Sequence, residues 1–328
     1  MKKSIFKINN ISEKFVINKY FSKLNFNKPE SFKYQNDAAY LKTKLNHEII
    51  ATNDSIVENF DFFKNDDPRS IAHKIVTTNL SDLSSMGAQP YCYMLNLCLN
   101  YSIDLSWLNE FSKHLFKLQK KYNFFLIGGD LSKSSSLMIS GTFYGYAKSN
   151  NIIPQKKVRN NDNIWVTGNL GESYIGYKIN KYKKINLNNN DKKYFLNKYF
   201  FPKPSMLGFH IAKYCSSAID ISDGFFGDLN KMLNGNFGAK IQVKSLPISN
   251  KLKKIVKNNL VNFEETINWG DDYQLIFTSQ SKFEKKIKLI AKKEKIKITK
   301  IGHIINKKGI YSDSSKLINS YKYYDHFA

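Results

Sequence analysis

Phe124-Phe125-Leu126-Ile127-Gly128-Gly129-Asp130 sets the reading of this chain. Four consecutive apolar residues form a buried strand that runs into two glycines and an acid. Upstream, Leu108, Phe111, Leu115 and Leu118 recur at helical spacing, which predicts a helix over 105–122. Downstream, Ser136 to Ala147 reads as another strand. Helix, buried strand and strand in succession point to an α/β (α+β) chain rather than to an all-helical or all-strand one.

The same alternation runs outward in both directions. Ile11 to Leu24 reads as a helix and His47 to Thr52 as a short strand. Asp67-Pro68 opens a strong helix, because Asp67 can cap and Pro68 suits the first turn, and Gly87 is its C-terminal stop. Tyr91 to Leu99 is a strand. The polar stretch Ser149-Asn150-Asn151 marks a boundary between two domains, 1–149 and 150–328, each with its own sheet. In the second, strands are expected at Asn163–Thr167, Ala218–Ile221, Tyr273–Thr278 and, last, Lys297–Gly302. Gly168 to Gly171 turns into a helix, and helices are expected over Pro204–Ser217, from about Ser222, and over Phe283–Glu294. Lys181 to Lys193 reads as a solvated loop or frayed helix end.

With 328 residues, of which 42% are hydrophobic and 14% aromatic, two sizeable cores are affordable. No apolar run approaches the roughly 18–20 residues of a membrane-spanning helix, and the start of the chain lacks a signal-peptide core. Cys92, Cys98 and Cys215 form no C-x-x-C pair, which fits a reducing cytoplasm and excludes a disulfide framework. The formal charge of +24 raises the question of nucleic acid. The basic residues are nearly all lysine, however, with Arg69 and Arg159 the only arginines. Lysine here travels with abundant Asn, Ile, Phe and Tyr, the bias of an AT-rich genome, whereas base readers favour arginine. No nucleic-acid or membrane partner is expected; the charge would instead concentrate phosphorylated substrates.

Several acids sit beside glycine or at strand ends: Asp37, Asp54, Asp82, Asp130, Asp220, Asp223, Asp271 and Asp272. Scattered carboxylates suit magnesium ions holding a triphosphate, since magnesium prefers hard oxygen ligands. No G-x-x-x-x-G-K-[ST] run is present, so this is not a P-loop enzyme. Singly, each acid also has a structural reading: Asp82 as a solvated mid-helix residue, Asp130 as a turn residue, Asp220 and Asp223 as helix-capping acids. His73, His114, His210 and His303 have no metal-like spacing, and Cys215 reads as packing.

The order of the motifs carries a family resemblance. The run from Asp67-Pro68 through Asn79-Leu80-Ser81-Asp82-Leu83-Ser84-Ser85-Met86-Gly87-Ala88 resembles the signature of the thiamine-monophosphate kinase family. So do Ile127-Gly128-Gly129-Asp130, Ser217-Ala218-Ile219-Asp220-Ile221-Ser222-Asp223-Gly224 with Gly227-Asp228-Leu229, Gly270-Asp271-Asp272-Tyr273-Gln274-Leu275, and the terminal Tyr324-Asp325-His326-Phe327-Ala328. The resemblance spans essentially the whole chain and implies a two-domain fold of the aminoimidazole ribonucleotide synthetase-like superfamily. It implies a homodimer whose N-terminal domains pair into a β-barrel, with an exposed strand edge such as Tyr91–Leu99 or Ser136–Ala147 satisfied by the partner. It further implies ATP and Mg2+ near the cleft between the domains, and thiamine phosphate as acceptor.

Residue by residue, the resemblance assigns Asp37, Thr52, Asn53, Asp54, Asp82, Asp130, Asp220 and Asp223 to metal, and Gly129, Asp130, Gln155 and Ser222 to ATP. It assigns Asp61, Asp271 and Tyr321 to thiamine phosphate. The chain departs from the family pattern at Gln35-Asn36-Asp37 (typically Gly-Asp-Asp), at Asp61 (typically His), at Gln155 (typically Arg), at Trp269 (typically Gly) and at Asp271 (typically Glu). Two rival readings are another ATP-dependent enzyme of the superfamily and a catalytically decayed basic nucleic-acid-binding protein. A selenophosphate synthetase would carry an N-terminal Cys, whereas the first cysteine here is Cys92.

Overall fold

The structure is a computed structural model, and it describes residues 11–182, 185–233 and 235–318. Tyr321 and the terminal Tyr324–Ala328 motif lie outside the described residues. The chain forms two compact units, one comprising residues up to Leu83 together with Gln89–Tyr146, the other Ser84–Ala88 together with Ala147 onward.

The first unit holds helix α1 (Glu13–Val16), strand β1 (His47–Val57), helix α2 (Pro68–Ser85), β2 (Gln89–Leu99), α3 (Leu105–Tyr122), β3 (Phe125–Lys133) and β4 (Met138–Lys148). Its sheet has the order β1-β4-β2-β3, with β2 antiparallel to β4 and parallel to β3. Alternation along the strands separates two faces. Tyr93, Leu95, Leu97, Ile139 and Phe143 are buried on one face, and an added Cβ at Gly141 there would lie 3.4 Å from Ile75 of α2. Helix α3 starts where expected because Asp104 accepts from the Trp107 N–H, and Leu108, Phe111, Leu115 and Leu118 are all buried.

Two expectations are corrected. Residues 91–99 and 136–147 are not sheet edges: they fall in β2 and β4, which are interior, and β1 and β3 are the edges. The expected strand over 47–52 runs on to Val57, because the polar Asn53 and Ser55 alternate with the less exposed Thr52 and Asp54. The edge of β3 is covered by the N-terminal segment, where the Tyr34 hydroxyl donates to the carbonyls of Phe21 and Leu126 at 3.3 and 3.2 Å. That segment is helical as expected but changes pitch, from α1 through a π-turn at Ile17–Phe21 to a 3-10 turn at Ser22–Asn25. Neither sheet of the chain closes into a barrel among the described residues.

The second unit holds β5 (Asn163–Thr167), α4 (Glu172–Tyr182), α5 (Asn189–Phe200), α6 (Gly208–Ile211), β6 (Ser217–Asp220), α7 (Phe225–Met232), β7 (Gly238–Ile241), α8 (Asn250–Lys257), α9 (Phe263–Ile267), β8 (Leu275–Ser279), α10 (Glu284–Lys293), β9 (Ile298–Ile305) and β10 (Gly309–Ser312). The sheet order is β10-β7-β9-β5-β8-β6, parallel only between β10 and β7. Alternate residues feed two cores. Ile164, Val166 and Ile276 pack with Phe225, Leu229 and Met232 of α7, while Trp165, Leu275 and Phe277 pack with Ile211, Ile287 and Ala291. Helices α4, α5 and α8 share a third cluster built on Tyr174, Ile175, Phe195 and Leu252.

The Lys- and Asn-rich stretch before Lys193 contains a helix start: Asn188 accepts from the Asp191 N–H at 2.9 Å, and α5 buries Phe195 and Tyr199. The expected helix over 204–217 shrinks to α6 and one 3-10 turn, because the Ser205 N–H is bound to the Tyr273 carbonyl at 3.0 Å. The strand at 298–305 is not the last, since β10 follows it.

Leu229 is fully buried between α7 and the sheet. Leu229→Ala should lower unfolding stability by about 2–5 kcal/mol. A urea midpoint within error of the parent would contradict this packing.

Candidate functional site

In the first unit the candidate residues fall into two groups. Thr52 and Asp54 point to one face of β1, and the Thr52 hydroxyl donates to Asp82 Oδ2 of α2 at 2.5 Å. Asn53 points to the other face, where its amide donates to Ser140 Oγ at 3.3 Å, Gly141 O at 3.2 Å and Thr142 Oγ1 at 2.8 Å. The structure therefore joins Thr52 with Asp82 and turns the Asn53 side chain away from them. The strand period alone carries this signal.

Asp37, Gly129 and Asp130 line a cavity of about 210 Å³ together with Glu13, Phe21 and Tyr34. Asp37 and Asp130 are exposed there, and Asp130 accepts from the Ser132 hydroxyl. Gly129 has φ +155°, and a Cβ on it would sit 1.9 Å from the Leu95 carbonyl oxygen. Only glycine lets β3 close on β2 at this point. Asp61 stands apart from both groups: its carboxylate accepts from the Val57 N–H at 2.8 Å and closes the turn that ends β1.

In the second unit, Asp220 ends β6 and is 7% exposed. The loop after it, Ser222-Asp223-Gly224, is organised by an acid that sequence reasoning quoted without a role. Asp228 Oδ2 accepts from the N–H groups of Ser222, Asp223 and Gly224 at 3.1, 3.0 and 3.2 Å. Lys231, one turn further along α7, donates to Asp228 Oδ1 at 2.8 Å and also to Asp223 Oδ2. The Gly270–Gln274 segment runs alongside. The Asp271 and Tyr273 N–H groups bond to the Ser222 and Ile221 carbonyls, both at 2.9 Å, and the Tyr273 hydroxyl donates to Asp271 Oδ1 at 2.7 Å. Gly270 has φ +97°, and a Cβ there would lie 2.1 Å from the Ser222 carbonyl oxygen. Gln155 is exposed on a turn whose neighbour Lys157 donates its N–H to Ser217 Oγ of β6 at 2.7 Å.

The donors in these groups are hard oxygens, which fit magnesium and not zinc or copper. Among the described residues no three His, Cys, Asp or Glu side chains converge to hold a metal by themselves. His73 Nδ1 lies 3.2 Å from His114 Nε2 between α2 and α3, and burial pushes the His114 pKa down to about 4.

Asp272 has a different role from its neighbour. It accepts from the Gly171 N–H at 2.7 Å and the Ser173 hydroxyl at 3.1 Å, capping the start of α4. Burial pushes its pKa up to about 7, with those two bonds opposing the rise. A carboxyl raised in the folded state binds an extra proton there between about pH 4 and 7. Stability is then greatest at the acid end of that window and falls as pH rises, by at most about 1.4 kcal/mol per unit. Asp272→Asn should fold and lose this slope; an identical pH profile in parent and variant would contradict it.

Residues 35–147 match the family model described as AIR synthase related protein, N-terminal domain. The thiamine-monophosphate kinase of Buchnera aphidicola subsp. Schizaphis graminum is 37% identical over 300 residues, covering 89% of this chain and 91% of that protein. The crystal structure of thiamine-monophosphate kinase from Stenotrophomonas maltophilia K279a superposes with a TM-score of 0.79 at 26% identity, covering 87% of this chain and 90% of that one. A structure described as AaThiL complexed with AMPPCP and TMP shares the fold at a TM-score of 0.76 and 24% identity, covering 87% and 89%. With that identity along nearly its whole length, the chain belongs to the thiamine-monophosphate kinase family.

Proposed function

We propose that the protein transfers the γ-phosphoryl group of ATP to thiamine phosphate, releasing thiamine diphosphate and ADP. The observation that carries the reading is 37% identity to a thiamine-monophosphate kinase over 89% of the chain. A fold neighbour bound to AMPPCP and TMP supports the pairing of nucleotide and acceptor. The chemistry is consistent with the side chains present. A phosphate acceptor is already largely ionised near neutral pH, its second pKa being about 6, so no general base is required. The obstacle is bringing two anions together, which calls for positioning and charge neutralisation.

Magnesium, when bound, neutralises and bridges the phosphates. Asp37, Asp54, Asp82 and Asp130 of the first unit and Asp220 and Asp223 of the second are the carboxylates proposed to hold it, with the Thr52 hydroxyl beside Asp82. The Asn53 side chain is spent on β4 and is left out of that set. Gly129, Ser222 and Gln155 are proposed to face ATP, and Asp61, Asp271 and Tyr321 the thiamine phosphate. Asp61 would have to do so with a carboxylate that also closes a turn.

We also propose that the protein works as a homodimer in which the first unit's sheet pairs with its copy into a barrel. The support is that β1 is an edge strand to which no described strand pairs on its outer side, with Ala51, Asn53 and Ser55 exposed. A cytoplasmic location fits, and among the described residues no helix is long and apolar enough to cross a membrane.

Incubation with ATP, MgCl2 and thiamine phosphate should yield thiamine diphosphate and ADP; phosphorylation of free thiamine alone would refute the assignment. Asp220→Asn and Asp223→Asn should each melt near the parent temperature and lose at least ~100-fold in turnover. Near-normal rates in both would sink the metal assignment. Sedimentation in moderate salt should show a dimer, and a fully active monomer would exclude the pairing.

A further inference from the structure

Lys231 of α7 bonds both the loop acid Asp223 and the α7 acid Asp228 that anchors that loop. Its ammonium bonds Asp223 Oδ2 and Asp228 Oδ1, the latter at 2.8 Å. The two acids differ in what else they do. Asp228 is 1% exposed at its side chain and spends Oδ2 on three backbone N–H groups, so its place is fixed by the loop itself. Asp223 is about one-third exposed, and its carboxylate pairs with Lys231. A carboxylate that would serve a cation is thus already engaged by a cation of the protein's own.

We propose that Lys231 is a resident counter-ion for Asp223, holding the loop closed until magnesium takes that carboxylate over, and that Lys231 thereby sets the magnesium concentration the protein requires. The inference rests on the reading of Asp223 as a metal ligand. Without a cation, Asp223 and Asp228 would repel across one turn, and the lysine removes that repulsion. For the metal to bind Asp223, the lysine has to release it while keeping Asp228. Because Asp228 anchors the ammonium from below, the release is a short swing rather than a refolding of the loop. Lys231 is therefore a positioning residue, acting on phosphate transfer through Asp223.

The test is a titration of MgCl2 at fixed AMPPCP, read as melting temperature, on the full chain. Lys231→Gln removes the charge and keeps a donor for Asp228. It should melt lower than the parent without magnesium and reach half-saturation at about fivefold less magnesium, the scale of one partly exposed ion pair. The gap in melting temperature should narrow at saturating magnesium, leaving the part that belongs to the retained Lys231–Asp228 pair. Lys231→Arg keeps the charge and should titrate like the parent. An unchanged half-saturation in Lys231→Gln, or the same shift in Lys231→Arg, would overturn the proposal. So would weaker AMPPCP binding by Lys231→Gln at saturating magnesium, which would make the lysine a phosphate ligand instead. A parent protein with no magnesium response would overturn the metal reading of Asp223 itself, whereas a normal parent response with an unshifted Lys231→Gln removes this inference alone.

Discussion

The arrangement of the second unit's site depends on one buried carboxylate. Asp228 gathers three successive backbone N–H groups onto a single oxygen. Three converging N–H dipoles form a concavity that favours negative charge, and here the protein fills it from within. Because the anchor sits on α7, the loop is tied to the core through Leu229 and Met232. The same loop is held from the other side by the Asp271 and Tyr273 N–H groups. Ser222 and Asp223 thereby sit in a loop pinned on both sides rather than in a free one.

Where the sequence pattern was periodic, it was legible. The α3 span matches its spacing because Leu108, Phe111, Leu115 and Leu118 form one buried stripe, and β5 matches because Ile164 to Val166 are buried on both faces. Elements of four residues, such as β7 and β10, gave no period to read. In α8 the period is present, with Leu252 and Ile255 buried three apart, but the helix is only about two turns long; the five-residue α9 rests on its cap, with Asn262 accepting the Glu264 and Glu265 N–H groups. Which strands were edges was also hidden. That depends on pairing partners distant in the chain; composition separates only β1, with its polar Thr52-Asn53-Asp54-Ser55, from β2, with its apolar Tyr91–Leu95.

The site was legible as a list of acids and not as geometry. Motif order proposes Asp82, Asp130, Asp220 and Asp223, and adjacency in sequence does not tell that strand alternation sends the Thr52 and Asn53 side chains to opposite faces. The same holds for Asp271 and Asp272: one faces the Ser222 loop and the other is buried at the start of α4. The family resemblance assigns roles by column; which face of an element a side chain takes is decided by backbone period and by what can be buried.

The cover on β3 bears on how the chain is made. Phe125, Leu126 and Ile127 lie on an edge strand, and an uncovered apolar edge recruits strands from other molecules. The cover comes from Tyr34, 92 residues earlier than the Leu126 carbonyl it binds. During synthesis this segment emerges first and has nothing to dock on until β3 follows, some seconds later at about 5–20 residues per second. The nascent first unit thus carries its shield before the strand that needs it, and loss of the Tyr34 segment would leave the β3 edge open from the moment it is made.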